Sequence, residues 1–327
     1  MPIKTLIEAI RDALDLEMQR DPTVFVMGED VGVKGGVFLA TEGLQKKYGA
    51  QRVIDTPLNE IGIAGIAIGA AMRGLRPVAE MQFAEYSLPG FDQMWNEAAT
   101  IRWRSAGQFS CPMVMRAPYG AGVHGALWHS QSVEALYAHR AGLKVVIPST
   151  AYDAKGLLIA AIRDPDPVIY FEHKKGYRLI KDEVPDGEYT VPIGVARIAR
   201  AGADLTVISY GLMLRYCLEA AQTLAAEGID AEVIDLRTIS PLDKPAMLES
   251  VRKTGKCLIV TEDTKSFSIT GEIAAIINEE AFEHLDGPVR RLATPDVPGM
   301  PHNPEQENWL LPNPRSIAEA MRQTARY

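Results

Sequence analysis

Glu60 stands in TPLNEIGIAGIAIGAAMRG (56–74), where a proline turn closes a short apolar run and a glycine-rich apolar helix begins. An acid in a first helical turn complements the helix dipole, and a solvated carboxylate there does no more than that. Gly62, Gly65 and Gly69 strip side chains from that helix, so another helix or a cofactor can approach its backbone. A carboxylate carried into such a dry contact must find a hydrogen-bonding partner or keep its proton, which is the setting of a catalytic acid or base. Glu29, in MGEDVG, also directly follows an apolar run; a solvated loop acid is the commoner use of such a residue, and Glu29 gains weight only in combination.

Two further stretches gather groups of mixed chemistry. MQFAEYSLPG brings Gln82, Phe83, Ala84, Glu85, Tyr86, Ser87, Leu88 and Pro89 to the junction between a strand from 77 and a helix expected near Pro89. By composition alone this is an ordinary loop with core aromatics. RAPYGAGVHGALWHSQSVEA (116–135) contains Gly120, Gly122 and Gly125 in a formal G-x-G-x-x-G. The pattern does not fit dinucleotide binding, because a polar loop intervenes before the next helix, expected from about Ser132, and no acid follows at the ribose position. The glycines instead give a closely packed loop that carries His124 and His129. His129 is there as an acid, a base or a packed imidazole.

The elements that must position these residues alternate. Apolar runs at 24–28, 52–55, 77–83, 113–117, 144–148 and 168–172 are separated by helical-period segments, the first of which opens on the capping box Thr5/Glu8. The alternation predicts an α/β fold of two domains, each a mostly parallel sheet with flanking helices, and ligands at strand C-terminal ends. It breaks between His173 and Ala203, with weak strand candidates around Tyr189 and Val195, and restarts with LTVISYG. The expected division is a domain over 1–180, a linker over 181–203 and a domain over 204–327.

The excess of 42 acidic over 34 basic residues, a net charge of −8, argues against nucleic acid as a partner. The longest uncharged apolar stretch, Ile61–Met72, is too short to span a bilayer and reads as a buried helix. The N-terminal segment lacks the features of a secretion signal, so a cytoplasmic location is expected. Cys111, Cys217 and Cys257 form no C-x-x-C pair and read as buried thiols, and no zinc-ligand spacing or G-x-S-x-G elbow occurs.

Taken together, GEDVG, the 56–83 stretch, NEAATIRWRS, HGALWHSQSVEA, KVVIPSTAYDAKGLL, YFEHKKGYR, VIDLRTISPLD and VTED resemble the beta subunits of thiamine-diphosphate-dependent 2-oxo acid dehydrogenases over essentially the whole chain. The resemblance implies a transketolase-like pyrimidine-binding domain followed by a transketolase C-terminal-like domain. It implies that Glu60 hydrogen-bonds the aminopyrimidine ring of thiamine diphosphate and drives proton removal from the thiazolium carbon. Glu29, Leu58, Asn59, Gln82, Tyr86, Ser87, Leu88 and Pro89 would complete the cofactor pocket. Phe83, Ala84, Glu85, Tyr86 and His129 would border the substrate, with His129 the proton donor or acceptor in acyl transfer to lipoamide.

The G-D-G and N-N motif that holds magnesium and diphosphate is missing. The resemblance therefore implies an alpha subunit that carries the magnesium site, in a two-alpha, two-beta heterotetramer active only when both chains are present. It further implies a lipoyl-bearing acyltransferase core as partner, for which Glu283 and Asp286 are candidate contacts, and a monovalent cation such as K+ near Asp164. HGALWHSQS, FAEYSLP and PDVPGMPHNP look more like branched-chain members, so the resemblance implies branched-chain 2-oxo acids, 2-oxoisovalerate and its homologues, over pyruvate or acetoin. A noncatalytic docking subunit and a nicotinamide dehydrogenase are the other classes weighed; the failed glycine fingerprint disfavours the latter.

Overall fold

The computed structural model describes residues 1–327 and divides into two compact units, Met1–Tyr119 with Leu136–Ile193, and Gly120–Ala135 with Gly194–Tyr327. In the first unit the order is β1 (Ile3–Thr5), α1 (Leu6–Arg20), β2 (Val24–Gly28), α2 (Leu44–Tyr48), β3 (Val53–Asp55), α3 (Glu60–Met72), β4 (Arg76–Glu80), α4 (Ile101–Arg104) and β5 (Val114–Tyr119). Then come α5 (Glu134–Ala138), where the division falls, β6 (Lys144–Val146), α6 (Ala151–Arg163), β7 (Val168–His173), α7 (Gly176–Leu179) and β8 (Lys181–Glu183). The second unit contains β9 (Arg197–Arg200), β10 (Leu205–Ser209), α8 (Gly211–Ala225), β11 (Ala231–Asp235), β12 (Thr238–Ser240), α9 (Lys244–Thr254), β13 (Cys257–Thr264), α10 (Ile269–Ala281), β14 (Arg290–Thr294), α11 (Pro304–Leu310) and α12 (Pro314–Ala325).

The first unit's strands run parallel in the order β6-β7-β5-β4-β2-β3. The fully buried runs of β2, β5 and β7 are what a sheet covered on both faces requires. Thr5 caps α1 in the expected box with Glu8, and the helix lays Leu6, Ile10, Ala13 and Leu14 against Leu157, Leu158 and Ile162 of α6. The second unit's sheet is β14-β13-β10-β11-β9, parallel except for the antiparallel edge strand β9, with its core between α8, α12 and the sheet.

Four local expectations change. The stretch read as linker is structured: β8 pairs with β1, and β9 joins the second sheet. Neither Tyr189 nor Val195 is in a strand. Residues 189–193 lie against α6 instead, with Tyr189 stacked on Tyr152 at 4.5 Å and Val191 donating its amide to the Gly156 carbonyl. An extended strap across a helix satisfies the same alternating pattern as a strand, and Gly156 permits it, since a Cβ there would meet Val191 at 2.6 Å. The helix expected near Pro89 is a 3-10 turn over Ala84–Gly90, followed by a π-helical turn over Gln93–Glu97, because Pro89 has no N–H for an α-helical ladder. Finally, α3 is not buried all round: Ile63, Ala64, Ala67, Ile68 and Ala71 face inward while Ile61, Ile66 and Met72 are exposed.

Candidate active site

In the first unit three parallel strands deliver their C-terminal ends to one edge. Glu29 follows β2 directly, Thr56–Asn59 follow β3, and Met81–Phe83 follow β4. The Thr56 amide donates to the Gly28 carbonyl at 2.9 Å, tying the first two together. Asn59 caps α3 by accepting from the Gly62 amide at 2.9 Å, which sets Glu60 as the first helical residue. Gly90 crosses this start so closely that a Cβ there would lie 2.8 Å from the Glu60 carbonyl. The segment 84–90 is thus seated over the helix that carries Glu60.

Glu29 is 7% exposed, accepts from the Asn59 amide, and keeps Oε1 without a partner. Burial raises its pKa above the usual carboxylate range, and the charges of Glu60 and Asp30 add to the rise. Tyr86 is also raised, first by burial and then by Glu85, Glu60 and Glu29, so these acids and the phenol share one electrostatic environment. Thr56 Oγ1, buried and unpartnered, belongs to the same edge and was not among the sequence candidates; its place in the turn ahead of Leu58–Glu60 is the signal that could have found it.

Leu58 is 79% exposed and Asn59 is exposed beside Glu60, an apolar and a polar group left at an open edge. Phe83 and Tyr86 stack edge to face at 5.4 Å, and Lys174 lies over the Phe83 ring. Gln82, Phe83, Tyr86, Leu88 and Pro89 retain accessible surface. The other residues of that stretch turn inward. Ala84 is fully buried, the Glu85 carboxylate lies 3.9 Å from buried Lys174, and the Ser87 hydroxyl sits 2.5 Å from the Ala84 carbonyl and 2.6 Å from Tyr137. The side chains of Ala84, Glu85 and Ser87 are thus packed in the interior.

The Asp164 carboxylate, expected near a monovalent cation, is paired with Lys144. Both its oxygens accept from Lys144 Nζ at 2.6 Å, and Arg76 takes the carbonyls of Ile162 and Asp164. No group of His, Cys, Asp or Glu in the chain is arranged to hold a metal. The three cysteines are buried, which pushes the thiols of Cys111 and Cys217 up to about 12 and that of Cys257 higher still, too high for thiolate chemistry.

His129 belongs to the second unit, on the loop 120–135. It is half-buried among exposed Val123, Leu127 and Trp128. Gly125 shapes its backbone, since a Cβ there would lie 2.6 Å from the His129 Cβ. Beyond it, Ser130–Ser132 and Glu262–Thr264 line a cavity of about 110 Å³ with Thr294 and Val297–Met300. Ser130 Oγ and Glu134 Oε2 are buried without partners, while Tyr210 donates to Glu134 Oε1 at 3.0 Å. Burial and the neighbouring Asp263 charge push Glu134 well up, and burial with Glu262 nearby raises Asp263 to about 6. The sequence reading missed Glu134 and Asp263, although VTED repeats the signal that marked Glu29, an acid at the end of an apolar strand.

Comparison with known proteins finds a family match in each half of the chain, the first of which also spans the 120–135 loop. The family model "Transketolase, pyrimidine binding domain" matches residues 4–180, and "Transketolase, C-terminal domain" matches 194–317. The chain is 57% identical over 327 residues to 2-oxoisovalerate dehydrogenase subunit beta of Bacillus subtilis, with 100% of both chains covered. It is 48% identical over 323 residues to pyruvate dehydrogenase E1 component subunit beta of the same organism, covering 99% of each. A mitochondrial 2-oxoisovalerate dehydrogenase subunit beta of Dictyostelium discoideum is 51% identical over 90% of this chain and 80% of its own. Among solved structures, a split-gene transketolase described as an inactive beta4 tetramer superposes with a TM-score of 0.81 at 21% identity, over 99% of this chain and 98% of its own, which speaks to the fold. With a full-length match above half identity and both transketolase domains in order, the chain belongs to the family of 2-oxo acid dehydrogenase beta subunits.

Proposed function

We propose that this chain, paired with an alpha subunit in a cytoplasmic two-alpha, two-beta heterotetramer, decarboxylates branched-chain 2-oxo acids and passes the acyl group to lipoamide on an acyltransferase core. The observation that carries the chemistry is the pair of acids at one strand edge, Glu60 opening α3 and Glu29 buried beside it with an unpartnered oxygen. These residues fit the aminopyrimidine end of thiamine diphosphate: a carboxylate positioned by a helix cap, a buried acceptor, exposed Leu58, and accessible Gln82 and Tyr86. When bound, the cofactor supplies the nucleophilic carbon and the electron sink for decarboxylation.

Glu60 would hydrogen-bond the weakly basic ring nitrogen and share a proton with it. Glu29 is buried beside it, with its pKa raised by that burial and by the charges of Glu60 and Asp30. Phe83 and Tyr86 exclude water on the substrate side, and His129 moves a proton during acyl transfer. The magnesium and diphosphate contacts belong to the alpha chain, in keeping with the missing G-D-G motif. The higher identity to the 2-oxoisovalerate relative than to the pyruvate relative supports the branched-chain substrate.

The test is to purify the chain with its alpha subunit, thiamine diphosphate and magnesium, and to compare turnover of 2-oxoisovalerate and pyruvate with an artificial electron acceptor. A higher kcat/KM for 2-oxoisovalerate is expected. A strong preference for pyruvate overturns the substrate assignment, and no turnover of either overturns the function.

A further inference from the structure

Two buried carboxylates from distant parts of the chain close on the backbone just ahead of His129. Glu262, in β13, is 4% exposed and accepts from the Ala121 amide at 2.5 Å. Glu307, in α11, is fully buried; its Oε1 accepts from the Gly122 amide at 2.9 Å, and its Oε2 lies 2.5 Å from His124 Nδ1. The same C-terminal stretch grips the loop twice more. His302 Nδ1 lies 2.9 Å from the His124 carbonyl, and Gly299 packs on Leu127 with no room for a Cβ, which would come within 2.5 Å of Leu127 Cδ1.

The loop needs such anchors. His124 and Ala126 hold φ of +58° and +55°, left-handed conformations that residues with a Cβ keep only where their surroundings impose them. Within the loop Gly120 N donates to Gln131 O at 3.0 Å, Gln131 Nε2 donates to Leu127 O at 2.9 Å, and His129 N donates to Ala126 O over a long 3.4 Å. Hydrogen bonds from amides to a buried carboxylate are charge-assisted and directional, so they fix a backbone more firmly than neutral contacts do.

We infer that Glu307, together with Glu262, is a positioning residue that sets the backbone presenting His129. Neither acid meets the reacting atoms. They act through the amides of Ala121 and Gly122 and through His124. The inference rests on the transfer role proposed for His129, and its test separates the two.

The experiment uses the complex with the alpha subunit, bound thiamine diphosphate and a lipoyl-domain acceptor, and compares Glu307→Ala, Glu307→Gln, Glu305→Gln and His129→Ala. In Glu307→Ala the amides of 121–122 should exchange with deuterium about tenfold faster or more, and kcat for acyl transfer should fall about tenfold or more, while decarboxylation with an artificial acceptor stays within about threefold. Glu307→Gln keeps an oxygen for the Gly122 amide and should recover much of the transfer rate. Exposed Glu305→Gln should match the parent protein.

Unchanged loop exchange in Glu307→Ala, loosened exchange with unchanged transfer, or an equal fall in both half-reactions each overturns the inference. If Glu307→Ala does not fold, the ratio of transfer to decarboxylation in Glu307→Gln decides, a lowered ratio supporting the inference and an unchanged one refuting it. Undiminished transfer in His129→Ala refutes the role of His129 itself, whatever the loop exchange shows.

Discussion

Glu29 and Glu60 share a strand edge but are held differently, the first buried with a free oxygen and the second partly exposed at a helix start. Replacing Glu60 by Gln keeps the size and a hydrogen-bonding group but removes the proton acceptor. Decarboxylation by the alpha–beta complex should fall about 100-fold or more, with cofactor affinity by calorimetry little changed. Asp263 offers a pH test. Burial raises its folded pKa from 3.8 to about 6, so between those values the folded chain binds the extra proton and stability falls as pH rises, the penalty being complete above about 6. Asp263→Asn should flatten that slope in thermal melts and raise the midpoint at pH 7, by roughly 2–4 °C per kcal/mol recovered. A steeper slope would contradict the assignment. Glu60 was legible because a proline turn, an acid and a glycine-rich apolar run stand in order. Ser130 and Glu134 were not, since what marks them is an unpartnered buried atom, which depends on chain segments distant in sequence.

The helix α3 carries its glycines on the solvent side. A Cβ at Gly65 or Gly69 meets nothing within 4 Å, and Ile61, Ile66 and Met72 lie exposed around them. An apolar face of this kind with small residues in its centre suits a helix of another subunit. Gly65→Leu and Gly69→Leu should leave the isolated chain folded, with helix propensity improved by up to about 1 kcal/mol each, yet prevent association with the alpha chain in gel filtration. Normal assembly would place the interface elsewhere. Here periodicity predicted the helix but not its burial, because apolar residues all round do not say which face belongs to a partner. The 84–100 region was harder to read, since 3-10 and π turns around Pro89 leave no regular period.

Across the first unit the parallel sheet encloses a charge cluster. Arg116 in β5 reaches Glu80 in β4 at 2.7 Å and Glu172 in β7 at 2.6 Å, and Tyr177 donates to Glu172 at 2.6 Å, all within the buried interior. Arg116→Met would strand two buried carboxylates and should cost about 3–5 kcal/mol in urea unfolding, far more than an apolar swap of that size. A change below about 1 kcal/mol would mean that the acids take up protons instead. The alternation of apolar runs gave away both sheets, as parallel strands buried on two faces must; the cross-strand ion pairs stayed hidden, because sequence does not show strand order. The loop 120–135 groups with the second unit although the chain on either side of it folds in the first. For recombination this matters: a chimera joined near residue 193 from two relatives of different substrate preference would seat one parent's His129 loop on the other parent's Glu262 and Glu307. Exchanges of the C-terminal half should therefore carry residues 120–135 with them, so that each histidine travels with the acids that hold its backbone.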